Sequence, residues 1–256
     1  MNLKLDMSLV QGYRSSSQQI RVASEAWVAQ HVYCPYCGNP KLDHFENNRP
    51  VADLFCGQCA AQYELKSKSG KIGSKITDGA YATMIERITS NQNPDLFVMS
   101  YDKDSYVINS LLMVPKYFFA PKVIEKRKPL ADTARRAGWV GCNILFSEIP
   151  QQALAYLIKD GQFTDFEKVR NQVSANSSLH LENPNLRGWL LDVLICIEQL
   201  GSAEFSLREL YNFEHILGQK HPQNKNVKAK IRQQLQLLRD RGFIEFLGNG
   251  YYRRAI

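Results

Sequence analysis

Two Cys-x-x-Cys pairs, Cys34-Pro35-Tyr36-Cys37 and Cys56-Gly57-Gln58-Cys59, are separated by 18 residues in a chain of 256. Each pair presents two thiolates to one side of a tight turn. Four thiolates complete the tetrahedral shell of a Zn²⁺ ion and leave no position open, so the metal that this spacing predicts is structural. The chain between the knuckles must therefore fold back on itself as short strands and turns. The other uses of such cysteines are a redox pair, which has no need of a second knuckle, and an iron–sulfur cluster. His31 and His44 lie close by, but Cys34, Cys37, Cys56 and Cys59 already fill a shell. Cys142 and Cys196 stand alone, and Cys196 sits in an apolar stretch that reads as core.

A second constellation is threaded through the first. Asp53 stands three residues before Cys56, and Glu64-Leu65-Lys66 begins five residues after Cys59. In a strand, residues i and i+2 share a face, so Glu64 and Lys66 point one way and Leu65 points into the core. Asp53, at the end of a neighbouring strand, brings a second carboxylate toward Glu64. Two carboxylates and the backbone carbonyl of Leu65 suit Mg²⁺, which prefers oxygen ligands. A lysine beside such a metal orients or deprotonates an attacking water and offsets charge on a pentavalent phosphate. On spacing alone, an Asp followed after ten residues by Glu-x-Lys is more often solvated surface charge, and its context of β-rich surroundings, basic patches and a second domain that looks like a DNA reader shifts the balance.

The rest of the chain divides in two. Helix is expected over 12–31, with Ser15 to Ser17 supplying the N-cap, and over Asp78–Ser90. Asp95–Tyr101 and Tyr106–Val114 read as strands flanking the turn Asp102-Lys103-Asp104-Ser105. Strand, helix and strand around a polar centre predict an α/β domain over 1–182. Asn171–Asn185, rich in Asn, Ser and Pro, reads as the linker. Residues 183–256 follow another grammar. A helix is expected over Pro184–Gln199, a second opened by Ser206 with Glu209 completing a capping box, and a third over Asn226–Arg241 with Gly242 after it. Gly248-Asn249-Gly250 then joins two strand-like runs. Three helices and a hairpin describe a winged helix-turn-helix.

The formal charge is +7, and its placement carries more than its size. Six basic residues and one acid lie between Gln223 and Arg241, and six basic residues and two acids between Lys122 and Arg136. Met1–Val10 alternates Leu with Lys, Asp and Ser, so no secretory signal is expected, and no stretch approaches the roughly 18 apolar residues of a membrane span. The expectation is a cytoplasmic chain whose cysteines stay reduced.

The pattern around Asp53, Glu64 and Lys66 resembles the PD-(D/E)XK nuclease motif. More closely, the chain looks like the DpnI-type restriction endonucleases. The residues that carry this likeness are Cys34-Pro-Tyr-Cys37-Gly, His44-Phe-Glu-Asn-Asn-Arg-Pro-Val-Ala-Asp53, Glu64-Leu-Lys-Ser-Lys68, Asp78-Gly-Ala-Tyr-Ala-Thr-Met84, Ala134-Arg-Arg-Ala-Gly-Trp139 with Gly141-Cys-Asn143, and Ile231-Arg-Gln-Gln-Leu235. The resemblance runs nearly end to end and is least secure over Leu145–Leu181. It implies a PD-(D/E)XK catalytic domain with an embedded four-cysteine zinc knuckle, followed by a winged-helix DNA-binding domain. It further implies Asp53 and Glu64 as Mg²⁺ ligands, Lys66 as the catalytic lysine, and double-stranded DNA cleaved at adenine-methylated GATC to leave blunt ends.

On the third C-terminal helix, Val227, Ile231, Leu235 and Leu238 form the expected core face. Lys225, Lys228, Arg232, Gln236 and Arg239 lie on another face that fits the major groove. Arg232, Gln233 and Gln236 are candidate readers of base edges, although Gln233, Gln234 and Gln236 also suit a plain exposed face. Arg135, Arg136 and Trp139 form a loop in which Trp139 either wedges against base pairs or is simply packed. Nothing demands a dimer or an obligate protein partner. The competing reading is a non-cutting zinc-ribbon and winged-helix regulator, in which Asp53, Glu64 and Lys66 are surface charge.

Overall fold

A computed structural model describes residues 2–45, 52–90, 92–179, 181 and 183–255. Its elements run α1 (Ser16–His31), β1 (Asp43–His44), β2 (Leu54–Phe55), β3 (Gln62–Ser69), β4 (Lys75–Ala80), α2 (Tyr81–Thr89), β5 (Asp95–Tyr101), β6 (Ile108–Val114), β7 (Ile124–Lys126), β8 (Gly141–Leu145), β9 (Ala155–Lys159), β10 (Gln162–Phe163) and α3 (Phe166–Ser177). The C-terminal part continues with α4 (Pro184–Leu200), β11 (Glu204–Ser206), α5 (Leu207–Tyr211), α6 (Glu214–Lys220), α7 (Val227–Asp240), β12 (Ile244–Gly248) and β13 (Tyr251–Arg254). The architecture is mixed α/β, with a helical C-terminal part that carries a wing. No helix among the described residues is long and apolar enough to cross a membrane.

The frame is a seven-stranded sheet in the order β1-β2-β3-β5-β6-β9-β10. β3 and β5 pair in parallel, and the other neighbours are antiparallel. All seven residues of β5 are buried. Phe97 and Met99 face a core with Trp27 and Val28 of α1 and Val169 and Val173 of α3, while Leu96 and Val98 face a second core with Met84 and Ile88 of α2. Helices on both faces explain why β5 reads as a continuous apolar run rather than an alternating one.

Several expected boundaries shift, each for a local reason. α1 begins at Ser16 rather than 12, because Tyr13 N–H closes a turn onto the Val10 carbonyl and Ser15 takes an extended N-cap conformation. The helix expected from Asp78 starts at Tyr81, because Asp78 to Ala80 pair with Cys142 and Gly141 of β8 in a second, three-stranded sheet, β4-β8-β7. β6 starts at Ile108 rather than Tyr106, since Tyr106 has a left-handed φ of 58° that closes the Asp102–Ser105 turn. The expected linker is helical as far as Ser177. Val169, Val173 and Asn176 are buried, and the amides of Gln172 and Asn176 donate to the Gln152 carbonyl. Polar residues bonded to a neighbouring backbone had the composition of a loop.

The C-terminal part keeps its expected starts and caps. Asn183 caps α4, Ser206 and Glu209 form the reciprocal capping box, and Gly242 has the positive φ of 75° expected past α7. Its described residues hold four helices rather than three, with α5 and α6 each packed against α7, and a strand, β11, that joins the wing.

This part is seated on the sheet. One hydrophobic core runs from Val98 and Ile144 through Trp189 and Leu190 to Ile231 and Leu238. Arg187 of α4 donates to the Phe119 and Ile88 carbonyls at 2.9 and 2.8 Å. Asp192, with a side chain 1% exposed, meets Lys122 at 2.5 Å, His221 at 2.7 Å and Lys220 at 3.1 Å. Burial alone would raise the Asp192 pKa, but the His221 hydrogen bond and the Lys122 and Lys220 charges outweigh it and hold it at about 2. The folded pKa lies below the unfolded one near 3.9, so this stabilisation, about 2 kcal/mol, is complete above roughly pH 4 and is lost as the pH falls through 2. Asp192→Asn should therefore lower the unfolding free energy by about 3 kcal/mol at neutral pH. Urea unfolding at pH 7 and at low pH measures this. The gap to wild type narrows at low pH, and an equal gap at both would contradict the account.

Candidate metal centres and nucleic-acid interface

The two knuckles repeat one backbone pattern. Cys34 N–H bonds to the Asn39 carbonyl and Gly38 N–H to the Cys34 carbonyl; Cys56 N–H bonds to the Ala61 carbonyl and Ala60 N–H to the Cys56 carbonyl. Gly38 and Ala60 each follow the second cysteine of their pair with φ of 78° and 59°. That left-handed turn aims both sulfurs of a pair at one point. The four Sγ atoms lie within 4.8 Å of one another, with Cys34–Cys59 and Cys37–Cys56 at 3.5 Å. A tetrahedral Zn–S₄ centre has sulfurs about 3.8 Å apart, so the cluster fits zinc with little adjustment. Tyr63 Oη at 3.0 Å from Cys34 Sγ and Asn39 Nδ2 at 3.5 Å from Cys56 Sγ support the thiolates from outside. All six cysteines are free, and Cys142 and Cys196 are buried away from the cluster.

The Cys56–Cys59 knuckle is the turn of the β2–β3 hairpin, in which Leu54 pairs with Tyr63 and Phe55 with Gln62. Asp53 immediately precedes β2. Its N–H bonds to the Tyr63 carbonyl, and its Oδ2 accepts from Leu65 N–H at 2.9 Å. Pro50 and Val51 of the expected motif lie outside the described residues. Glu64 and Lys66 share one face of β3, and Leu65 is buried on the other. Lys66 Nζ stands 2.6 Å from both Glu64 Oε1 and Asp78 Oδ1. These are not solvated charges: the Glu64, Lys66 and Asp78 side chains are 17%, 25% and 3% exposed. Burial pushes the Glu64 carboxyl up, with Lys66 opposing and Asp78 adding to the rise. Burial works against the Lys66 ammonium, but Glu64 and Asp78 more than offset it and hold its pKa above the ordinary lysine value.

Four residues join this group that the spacing did not single out. From α1, Glu25 lies beside Asp53, and Arg21 reaches Glu25 at 2.6 Å and Asp53 Oδ1 at 3.2 Å. Asp78 comes from β4, and Arg87 of α2 faces Glu64, Asp78 and Asp53. The one signal available for Glu25 was an acid among the apolar positions of α1, between Ala23 and Trp27. Glu25 and Asp53 offer oxygen ligands, and Asp53 Oδ1 pairs with Arg21, an exposed arginine that another cation can displace. A hard, anionic oxygen set of this kind fits Mg²⁺.

Trp139 is half-buried rather than free. Its ring packs over Gly141, where an added Cβ would come within 2.8 Å, and the Arg136 guanidinium lies over it at 4.6 Å. Arg135 and Arg136 are exposed. On α7, Val227, Ile231, Leu235 and Leu238 are buried as expected, and Lys228, Arg232, Gln233 and Gln236 are exposed, as is Lys225 just before the helix. Gln234 is the exception to an exposed polar face, being 1% exposed. Arg232 donates to Tyr211 Oη at 2.7 Å and Lys228 pairs with Glu214 at 3.2 Å, so two of these cations are steadied by α5 and α6.

The sequence matches the model of the DpnI family, described as the Dam-replacing family, over residues 1–182, and the Dam-replacing HTH domain over residues 185–254. The chain belongs to the Dam-replacing family. Membership implies a nuclease of the restriction-endonuclease kind, and the HTH match implies contact with DNA. In this member of the Dam-replacing family the cysteine cluster closes the very hairpin that carries Asp53 and Glu64. Cys56→Ser should lose the bound metal and several kcal/mol of folding stability, because metal binding is coupled to folding. Metal analysis and thermal melting check this, and a variant with wild-type zinc content and melting temperature would remove the cluster from its structural role.

Proposed function

We propose that this chain is a methylation-dependent type II restriction endonuclease. It hydrolyses both strands of DNA at GATC sites carrying N6-methyladenine, using Mg²⁺ and leaving blunt ends. The observation that supports this best is the largely buried Glu64–Lys66–Asp78 cluster, with Asp53 bonded to the Leu65 N–H between Glu64 and Lys66, in a chain with a DNA-binding domain. A non-cutting regulator would have no reason to bury Glu64, Lys66 and Asp78 together, since buried charges are costly.

In this reading residues 1–182 cut and residues 183–256 read. Asp53, Glu64 and the Leu65 carbonyl hold Mg²⁺, which when bound supplies a water of lowered pKa and neutralises charge on the phosphate. Lys66 leaves its two carboxylates to orient the attacking water and to offset charge developing on the phosphorus oxygens. Arg135 and Arg136 hold the DNA backbone, with Trp139 packed against the base pairs. Lys225 and Lys228 meet phosphates, while Arg232, Gln233 and Gln236 face base edges in the major groove. The methyl group of the modified adenine fills a small apolar pocket, worth about 1 kcal/mol for one methyl. The chain acts in the cytoplasm as a monomer.

The experiment is plasmid cleavage with adenine-methylated and unmethylated DNA, with and without Mg²⁺. Wild type is expected to cut only the methylated plasmid and only with Mg²⁺. Asp53→Ala and Lys66→Ala should lose roughly a hundred-fold or more of the rate. Intact methylated plasmid with the wild type would sink the activity, and undiminished cutting by Asp53→Ala would sink the assignment of the site.

A further inference from the structure

Lys66 has two demands on it that conflict. In the structure it is the ion-pair partner of Glu64 and of Asp78, at 2.6 Å to each. Acting on a phosphodiester, it must turn away from both. In the nuclease reading Mg²⁺ offsets the charge of Glu64, but Asp78, 3% exposed and with its Oδ2 buried and without a hydrogen-bond partner among the described residues, is left with no cation, which costs several kcal/mol unless another stands in.

That cation is in place. Arg87, on α2 between the core residues Met84 and Ile88, lies within electrostatic reach of Glu64, Asp78 and Asp53. Its Nε and Nη2 are buried and have no hydrogen-bond partner among the described residues. A guanidinium carries five N–H donors, and leaving two of them buried and unused is costly. Glu64 and Arg87 line one small cavity of about 10 Å³, together with Asn93 and the apolar walls Met84, Leu96, Phe119 and Ile144. A space of that size is close to the least that admits a single water, and its polar lining suits one. Arg87 and Glu64 thus share this cavity, while Lys66 holds Glu64 from along the strand.

Resting on the nuclease reading above, we propose that Arg87 is a positioning residue that takes over as counterion of Asp78, beside the metal-holding Glu64, when Lys66 turns to the substrate. Its unused N–H groups then serve Asp78, whose Oδ2 is likewise buried and without a partner among the described residues. Arg87 touches no substrate. It sets how readily Lys66 is released, and so acts on the rate of the chemical step rather than on DNA binding.

The test compares wild type, Arg87→Met and Arg87→Lys on methylated duplex DNA. Single-turnover cleavage in Mg²⁺ is measured beside DNA affinity in metal-free buffer, read by fluorescence anisotropy. Arg87→Met should cleave roughly 10- to 100-fold more slowly, with metal-free affinity unchanged, and Arg87→Lys should recover part of the loss. Combining Arg87→Met with Asp78→Asn, which leaves Lys66 one carboxylate fewer to satisfy, should cost less than the product of the two single effects. An Arg87→Met protein that cleaves like wild type overturns the proposal, as does a combined effect equal to that product. If Arg87→Met fails to melt like wild type, Arg87→Gln takes its place as the uncharged variant, and a folded Arg87→Gln that cleaves like wild type also overturns it. A wild type that cuts no DNA overturns the nuclease reading instead, so the two failures are told apart.

Discussion

Everything at this site depends on the register of β3. The strand is antiparallel to β2 on one side and parallel to β5 on the other, with Glu64 opposite Leu96 and Lys66 opposite Val98. Side chains alternate along a strand, so a slip of one residue would turn Glu64 and Lys66 into the core and bring Leu65 out. Three devices prevent the slip. The parallel ladder to β5 runs the length of β3, the cysteine knuckle closes the β2–β3 turn, and Asp53 bonds across to Leu65 N–H and the Tyr63 carbonyl. The same Asp53 carboxylate therefore both fixes the register and offers its other oxygen to the site. A cysteine cluster that fits zinc at one end of the hairpin and carboxylates along it are parts of one folding unit.

The electrostatics follow from that placement. β3 lies at the point where α1, β4 and α2 converge, and each delivers charge: Arg21 and Glu25, Asp78, and Arg87. Four carboxylates and three cations meet there. Such a cluster is expensive to bury, and it contributes little to stability that apolar residues would not contribute better. Its retention makes sense for a surface that must receive a cation and a phosphate, because both signs of charge are already positioned before substrate arrives.

What was legible in the sequence was what is local. The knuckle spacing, the i, i+2 relation of Glu64 and Lys66, the Ser206–Glu209 capping box and the Gly-Asn-Gly turn each depend on a few neighbouring residues, and each is found. Glu25, Asp78 and Arg87 were not legible as members of the site, because tertiary packing alone brings α1, β4 and α2 to β3. The misread linker has the opposite cause. Its amides look like a solvated loop, yet Gln172 and Asn176 spend them on the Gln152 carbonyl, so the local composition was overruled by a partner 20 or more residues away. Gln234 on α7 is the same lesson on a smaller scale, a polar residue taken for surface that the helix carries into the core.

The contact between the sheet and the winged helix bears on how reading and cutting are joined. Domains linked only by a polar chain are expected to move relative to one another, unless the surface between them is apolar and extensive. Here one core passes without a break from Ile144 and Phe146 into Trp189, Leu190 and Leu194. Arg187 is bonded into the sheet side through the Phe119 and Ile88 carbonyls, and Ile88 lies next to Arg87 on α2. Glu198 caps the Gln151–Ala153 turn from the far end of α4. To swing α7 away, the chain would have to break the Asp192 ion cluster, strand the Arg187 guanidinium and expose Trp189 together. A helix seated that firmly holds the reading face at a fixed position relative to β3, and the helix that carries Arg87 is one of its anchors.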